Sequence, residues 1–292
     1  MPASRLPPAE WFPTGWAGLS ARRVVLADGT SMRVVEAGPA GGEPVVLLHG
    51  WAVSSYLWRH TLGGLASAGY RAYAPDLPGH GLSDAPLAKG DYSLAAFARR
   101  GEQLLDALAL ARPRLLAQSM AGRLAVELAM RGRVERLVLF GPVGFGNVSP
   151  ATAFAPFIPE FAGDIATALV TRQMVEIVQR RVHGKLGWFT DRDVDEYWAP
   201  TQFPAVVRAQ VQMLREFSWE PLAPAELAAI DVDTLVVFGT SDRTVRPRRA
   251  AELVAALPRG RLEWIEGGGH VVMEEVPDVV NGMLVEFLAP AG

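Results

Sequence analysis

Short, largely apolar runs recur along this chain, at residues 44–48, 70–74, 114–117, 134–140 and 234–238, and turn-forming residues follow them. A strand that is apolar on consecutive positions must be covered on both faces. That is the situation in a parallel sheet held between helices, and not in a half-exposed antiparallel one. Segments of helical character separate the runs at 62–68, 93–108 and 121–130, and helices are expected again at 248–256 and 278–288, around a last strand at 261–265. Such alternation predicts an α/β architecture with right-handed crossovers, in which ligands bind beyond the carboxyl ends of the strands.

Two departures from the alternation are informative. Residues 22–27 and 32–36, joined at Asp28-Gly29, read as a hairpin at one edge of the sheet, preceded by a Pro- and Trp-rich arm over 1–20. From Pro142 to Pro224 no clear buried strand appears; residues 165–182 and 205–217 read as amphipathic helices, and Thr190 with Asp191 and Asp193 as a helix start. A helical insertion placed over the carboxyl ends of a sheet has its inner face above the site. Some of its aromatic side chains are therefore expected to line a pocket, and the rest to pack helix on helix.

The net charge of −3 and the absence of a long basic run argue against a nucleic-acid partner. With no cysteine there is no disulfide, thiolate nucleophile or cysteine-bound zinc. No apolar run reaches the ~18–20 residues a membrane span needs, and the N-terminus does not read as a secretory signal, so a cytoplasmic protein is expected.

Ser119 follows the run 114–117 and precedes the helix 121–130, with Ala117, Ala121 and Gly122 around it. A strand, a sharp turn and a helix around a serine can present its hydroxyl as a nucleophile; the same serine can also simply cap the helix. Two further residues at predicted strand ends decide between these readings. Asp242 follows the run 234–238, and His270 follows the last strand through Gly267-Gly268-Gly269. Acyl transfer needs a hydroxyl that attacks, an imidazole that takes and returns its proton, and a carboxylate that fixes the imidazole tautomer. Asp231 and Asp233 precede their strand and fall at its amino end, away from such a site.

The motifs His49-Gly50-Trp51, Asp76 to Asp84, Gln118 to Gly122, Gly239 to Asp242, and Gly269-His270 leading to Glu275 and Pro277 stand in one order along the chain. In this the sequence resembles the α/β-hydrolase fold family, in its serine-nucleophile branch with a helical cap. The pattern departs from the usual glycines at Ala117 and Ala121. The resemblance implies a mostly parallel twisted sheet flanked by helices, with a core formed by residues 1–142 and 225–292 and a cap by 143–224. It implies Ser119, Asp242 and His270 as catalytic residues, and the backbone N–H groups of Trp51 and Met120 as the oxyanion hole. Trp51, Gln118, Phe154, Phe157, Trp188 and Val271 are the expected substrate pocket. His49 and His80 are expected to brace loops, and His60 and His183 to be ordinary surface or cap residues. No metal and no cofactor is expected.

A serine at the elbow sets the chain apart from the dehalogenase and epoxide-hydrolase branches, which use aspartate. The expected activity is hydrolysis of small to medium apolar or aryl esters, with a small-molecule ester substrate as the expected partner. Carbon–carbon bond hydrolysis, perhydrolysis and acyl transfer on the same residues are the alternatives within the fold, and a non-catalytic small-ligand receptor is the alternative of another class.

Overall fold

The computed structural model describes residues 6–146 and 150–289; the first five residues of the N-terminal arm lie outside them. Eight strands form one sheet. They are β1 (Leu19–Val25), β2 (Ser31–Ala37), β3 (Pro44–Leu48), β4 (Arg71–Pro75), β5 (Arg114–Gln118), β6 (Arg136–Phe140), β7 (Asp233–Gly239) and β8 (Gly260–Ile265). Their spatial order is β1-β2-β4-β3-β5-β6-β7-β8. The expected hairpin at the edge supplies the antiparallel pairs β1·β2 and β2·β4, and every later pair is parallel.

The central strands divide their side chains by parity, as a pleat requires. Leu48, Leu115, Ala117, Leu139 and Phe238 enter one apolar cluster with Phe97, Leu104 and Leu124. Those last three stand on α2 (Leu94–Ala107) and α3 (Ala121–Met130). Leu47, Leu116, Val138, Phe140 and Val237 enter the other cluster, with Leu62 and Leu284. These come from α1 (Arg59–Ser67) and from the terminal helix over Pro277–Leu288. Both faces are thus fully covered, which is why these strands can be apolar on consecutive positions.

Between β6 and β7 the chain inserts α4 (Ala162–Leu169), α5 (Arg172–Val182), α6 (Asp191–Trp198), α7 (Pro204–Glu216) and α8 (Pro224–Ala228). The single helix expected over 165–182 is in fact two. Val170 is extended, and the Thr171 side chain accepts a hydrogen bond from the Met174 N–H, ending one helix and capping the next. After β7 come α9 (Ala250–Ala255), then β8, the short α10 (Val272–Glu275) and α11 (Pro277–Leu288). The N-terminal arm buries Trp11 and Phe12. The Phe12 N–H donates to Glu196 on α6 at 2.9 Å, so the arm ties the insertion to the sheet.

Candidate active site

Ser119 occupies the turn between β5 and α3 with φ +54°, a left-handed conformation that a β-substituted residue adopts only when its surroundings impose it. Hydrogen bonds supply that constraint. The Ser119 N–H donates to Phe140 C=O at 2.9 Å, and its own C=O accepts from Gly122 and Val143 N–H, each at 2.9 Å. A helix cap would have a relaxed negative φ. The methyl groups of Ala117 and Ala121 are fully buried in one apolar cluster, so the missing glycines are replaced by packing. Gly122 has no such freedom, because a Cβ there would stand 2.6 Å from Pro142 Cβ.

Asp242 and His270 meet at the same edge of the sheet. His270 Nδ1 lies 2.7 Å from Asp242 Oδ2, and both residues are buried. The other oxygen of Asp242 accepts from Thr244 N–H at 2.7 Å and Val245 N–H at 3.0 Å, which fixes the carboxylate plane. Gly141, one residue beyond the partner of the Ser119 N–H, presents its Cα to this pair; a Cβ there would lie 2.9 Å from His270 Nδ1 and 3.0 Å from Asp242 Oδ2. Among the described residues no hydrogen bond joins Ser119 Oγ to His270 Nε2, and neither atom has another partner; both residues are buried.

The loop after β3 closes against the serine. At Gly50 a Cβ would come within 2.3 Å of Gln118 Oε1 and 2.9 Å of Ser119 Cβ, so only glycine lets Trp51 follow at that distance. The N–H groups of Trp51 and Met120 donate to no acceptor among the described residues. Two histidines hold this loop. His49 Nδ1 donates to Gly50 C=O at 2.8 Å while its Nε2 accepts from Leu77 N–H at 2.9 Å. His80 Nδ1 donates to Pro78 C=O, and its Nε2 accepts from Ala52 N–H at 3.2 Å, where Ala52 has φ +60°. Both imidazoles must be neutral to accept these bonds. Beneath them Asp76 is fully buried; burial pushes its carboxyl up, but Arg33 at 3.1 Å and two backbone N–H groups outweigh this and hold it below the ordinary range.

Burial keeps these histidines neutral. It pushes His80 from its ordinary 6.5 down to about 3, and it lowers His49 against the opposing pull of Asp76. A depressed histidine stabilises the fold fully above its unfolded value, and that contribution drains away as pH falls toward the folded value. Thermal stability is therefore expected to decline from about pH 6.5 downward, by up to about 1.4 kcal/mol per pH unit for each histidine. A His80→Gln variant should flatten the decline, as read by the melting temperature between about pH 8 and about pH 4. A wild-type profile that is level across this range would contradict the buried neutral state.

The expected pocket residues fall in three different places. Trp51 stands at the border, its indole N–H donating to Gln210 C=O on α7 at 3.1 Å. Gln118 and Val271 are buried; the Gln118 amide donates to the His270 C=O at 3.2 Å and so steadies the imidazole's backbone, while Val271 joins the core. Phe154, Phe157 and Trp188 are 71, 80 and 62% exposed, on the outside of the insertion. His183, expected at the surface or in the cap, is buried in the insertion with Nδ1 on Gln179 C=O.

Sequence reasoning missed how the histidine loop is held. The His270 N–H donates to Val182 C=O at 2.7 Å and the Lys185 N–H to Gly267 C=O at 2.8 Å, so the loop lies along the chain leaving α5. The buried carboxylate of Glu275 accepts from Gly269 N–H at 2.7 Å and Gly184 N–H at 2.9 Å, joining the two. A Cβ on Gly269 would stand 2.4 Å from Gly184 N, and one on Gly239 2.2 Å from Gly268 O. Three backbones approach this closely only through glycine, and the Gly267-Gly268-Gly269 run was the available signal.

Known proteins agree with this architecture. Residues 43–277 match the family described as alpha/beta hydrolase fold. The magnesium-chelatase 30 kDa subunit of Rhodobacter capsulatus is 30% identical over 95% of this chain and 98% of its own. The putative carbamate hydrolase RutD of Variovorax paradoxus is 31% identical over 86% of this chain and 94% of its own. Among solved structures, the carboxylesterase CesB of Bacillus subtilis superposes with a TM-score of 0.74 at 22% identity, covering 94% of this chain and 93% of that one, a likeness of fold.

Proposed function

The chain belongs to the alpha/beta hydrolase fold family, and we propose that it is a serine hydrolase acting on small to medium apolar or aryl carboxylic esters, with Ser119, Asp242 and His270 as its catalytic residues. The observation that carries this reading is the left-handed Ser119 at the strand–helix turn together with a His270–Asp242 pair closed at 2.7 Å.

In this reading Ser119 Oγ attacks the ester carbonyl carbon as His270 Nε2 takes its proton. The carbonyl oxygen, now anionic, receives the N–H groups of Trp51 and Met120. One such donor is commonly worth ~2.7–4 kcal/mol in the transition state. His270 then returns the proton to the leaving alkoxide, the carbon–oxygen bond breaks, and an acyl group remains on Ser119. Water repeats the sequence and releases the acid. Residues 143–224 serve as a cap over the carboxyl edge, and the Trp51 ring, tethered to α7, supplies an apolar wall for the acyl or aryl group.

Two measurements test this. The protein is expected to hydrolyse p-nitrophenyl butyrate, with Ser119→Ala slower by at least about 10⁴-fold. A fluorophosphonate is expected to add one phosphonyl group, located at Ser119 by peptide mass mapping. Hydrolysis that survives Ser119→Ala, or label found elsewhere, would remove Ser119 as the nucleophile.

A further inference from the structure

The outward faces of α4 and α5 are the reverse of what a surface helix requires. A helix packed on a core turns its apolar stripe inward and its charges to water. Here Phe157, Phe161, Ile165 and Leu169 follow one another at intervals of four, entering and crossing α4, and each is more than half exposed. The face α4 turns inward is small: Gly163 rests on Arg208 of α7. On α5 the inward residues are Val175, Gln179 and Val182, whereas Met174, Ile177 and Val178 face solvent. Two consecutive helices, joined only by Val170 and Thr171, thus present ridges of apolar side chains to water. Single exposed apolar residues are ordinary, but ridges concentrated in one segment mark a surface that something covers.

The charges at the rim say what covers it. The acidic groups on these helices are neutralised within the protein, Asp164 by Arg208 at 2.5 Å and Glu176 by Arg180 at 2.6 Å. Arg181, Lys185, Arg243, Arg246 and Arg248 are exposed and have no carboxylate within salt-bridge distance among the described residues. Arg181 stands in the last turn of α5, and Lys185 follows three residues after its end. Arg243 donates to the carbonyls of Arg180 and His183 at the end of α5, and a Cβ on Gly146, where the chain enters the insertion, would touch the Arg246 carbonyl. Apolar ridges that stand proud of the surface, beside unpaired cations, have the composition of helices that lie in a lipid interface with their charges at the headgroups. No helix among the described residues is long and apolar enough to cross a membrane, so contact of this kind would be peripheral.

We propose that the outer face of α4 and α5 docks on an anionic lipid surface, the apolar ridges entering the interface and Arg181, Lys185 and Arg243 at the end of α5 binding the headgroups. Docking is read without turnover, so it stands or falls apart from the esterase reading. The test is co-sedimentation of the full chain with phosphatidylcholine vesicles, with and without phosphatidylglycerol. Binding is expected to the phosphatidylglycerol vesicles and to weaken as salt is raised. Replacing Arg181 and Lys185 together by Gln should weaken it by roughly 30-fold. The double variant Ile165→Glu/Ile177→Glu should abolish it, with unchanged circular dichroism and melting temperature showing that the fold persists. The proposal is overturned if wild-type protein ignores both kinds of vesicle. It is equally overturned if light scattering shows an oligomer that the double variant disperses, which would give the face to a second copy of the chain.

Discussion

Asp242→Asn is expected to lower kcat for ester hydrolysis by about 10⁴-fold near neutral pH while leaving KM and thermal stability close to wild type. The size of the effect follows from which atoms surround the carboxylate. One oxygen of Asp242 accepts two backbone N–H groups, from Thr244 and Val245, so in the variant that position must be filled by the amide oxygen. The amide NH₂ is then forced onto the side facing His270 Nδ1. A donor there selects the imidazole tautomer with its proton on Nε2, the nitrogen that has to receive the proton of Ser119. In the proposed mechanism the base would then already carry the proton it has to accept. Phosphonylation of Ser119 should slow in parallel, since it needs the same proton transfer. A variant that retained kcat within tenfold of wild type would show that Asp242 does not set the tautomer.

The parts of this site that were legible in the sequence are those fixed by local rules. A serine between a strand and a helix, an aspartate after one strand and a histidine after another are read from neighbours within a few residues. The φ of +54° at Ser119 and the closed His270–Asp242 pair follow from those neighbours once the sheet is assembled. Ala117 and Ala121 departed from the expected glycines, and the reason they are tolerated is tertiary: both methyls have room in a core cluster that no local pattern describes. The break between α4 and α5 was missed because apolar periodicity continues through it, and only the capping hydroxyl of Thr171 marks the new start. Least legible were contacts between residues distant in the chain. Gly141 was not singled out, although it is the position where a side chain would strike the Asp–His pair. Glu275 stood in a recognised motif, yet its bonds to Gly269 and Gly184 depend on how the insertion folds back on the histidine loop. The same holds for the buried charges that fasten the insertion to the sheet.

Those charges give the largest expected effect on stability. Arg59, on α1, is buried with its guanidinium 2.9 Å from Asp193 of α6 and paired also with Glu274 of α10, four residues beyond His270. Tyr56 O–H donates to Asp193 at 2.8 Å and Tyr197 O–H to Glu274 at 2.5 Å, and Arg59 lies over the Tyr56 ring, 4.4 Å from its centroid. One cation therefore joins the core, the insertion and the histidine loop. Burial pushes the Asp193 carboxyl up, but Arg59 and hydrogen bonds from Thr190 and Tyr56 outweigh it, so the group sits below its ordinary value. Arg59→Met preserves most of the side-chain volume and removes the charge, leaving two buried carboxylates without their cation. Breaking a buried ion pair from one side costs ~3–5 kcal/mol, which for a chain of this size is a fall of roughly 10 °C in melting temperature. The pH dependence separates lost charge from lost packing. With the cation gone, burial of Asp193 is opposed only by the hydrogen bonds from Thr190 and Tyr56, so its carboxyl takes up a proton more readily as pH is lowered and the deficit against wild type should shrink toward about pH 5. A cavity or packing defect would not respond to pH. Adding Asp193→Asn and Glu274→Gln to Arg59→Met should likewise recover part of the stability at neutral pH. A single variant that loses less than about 1 kcal/mol, or a deficit that is constant with pH, would mean that the network does not hold the insertion to the sheet through charge.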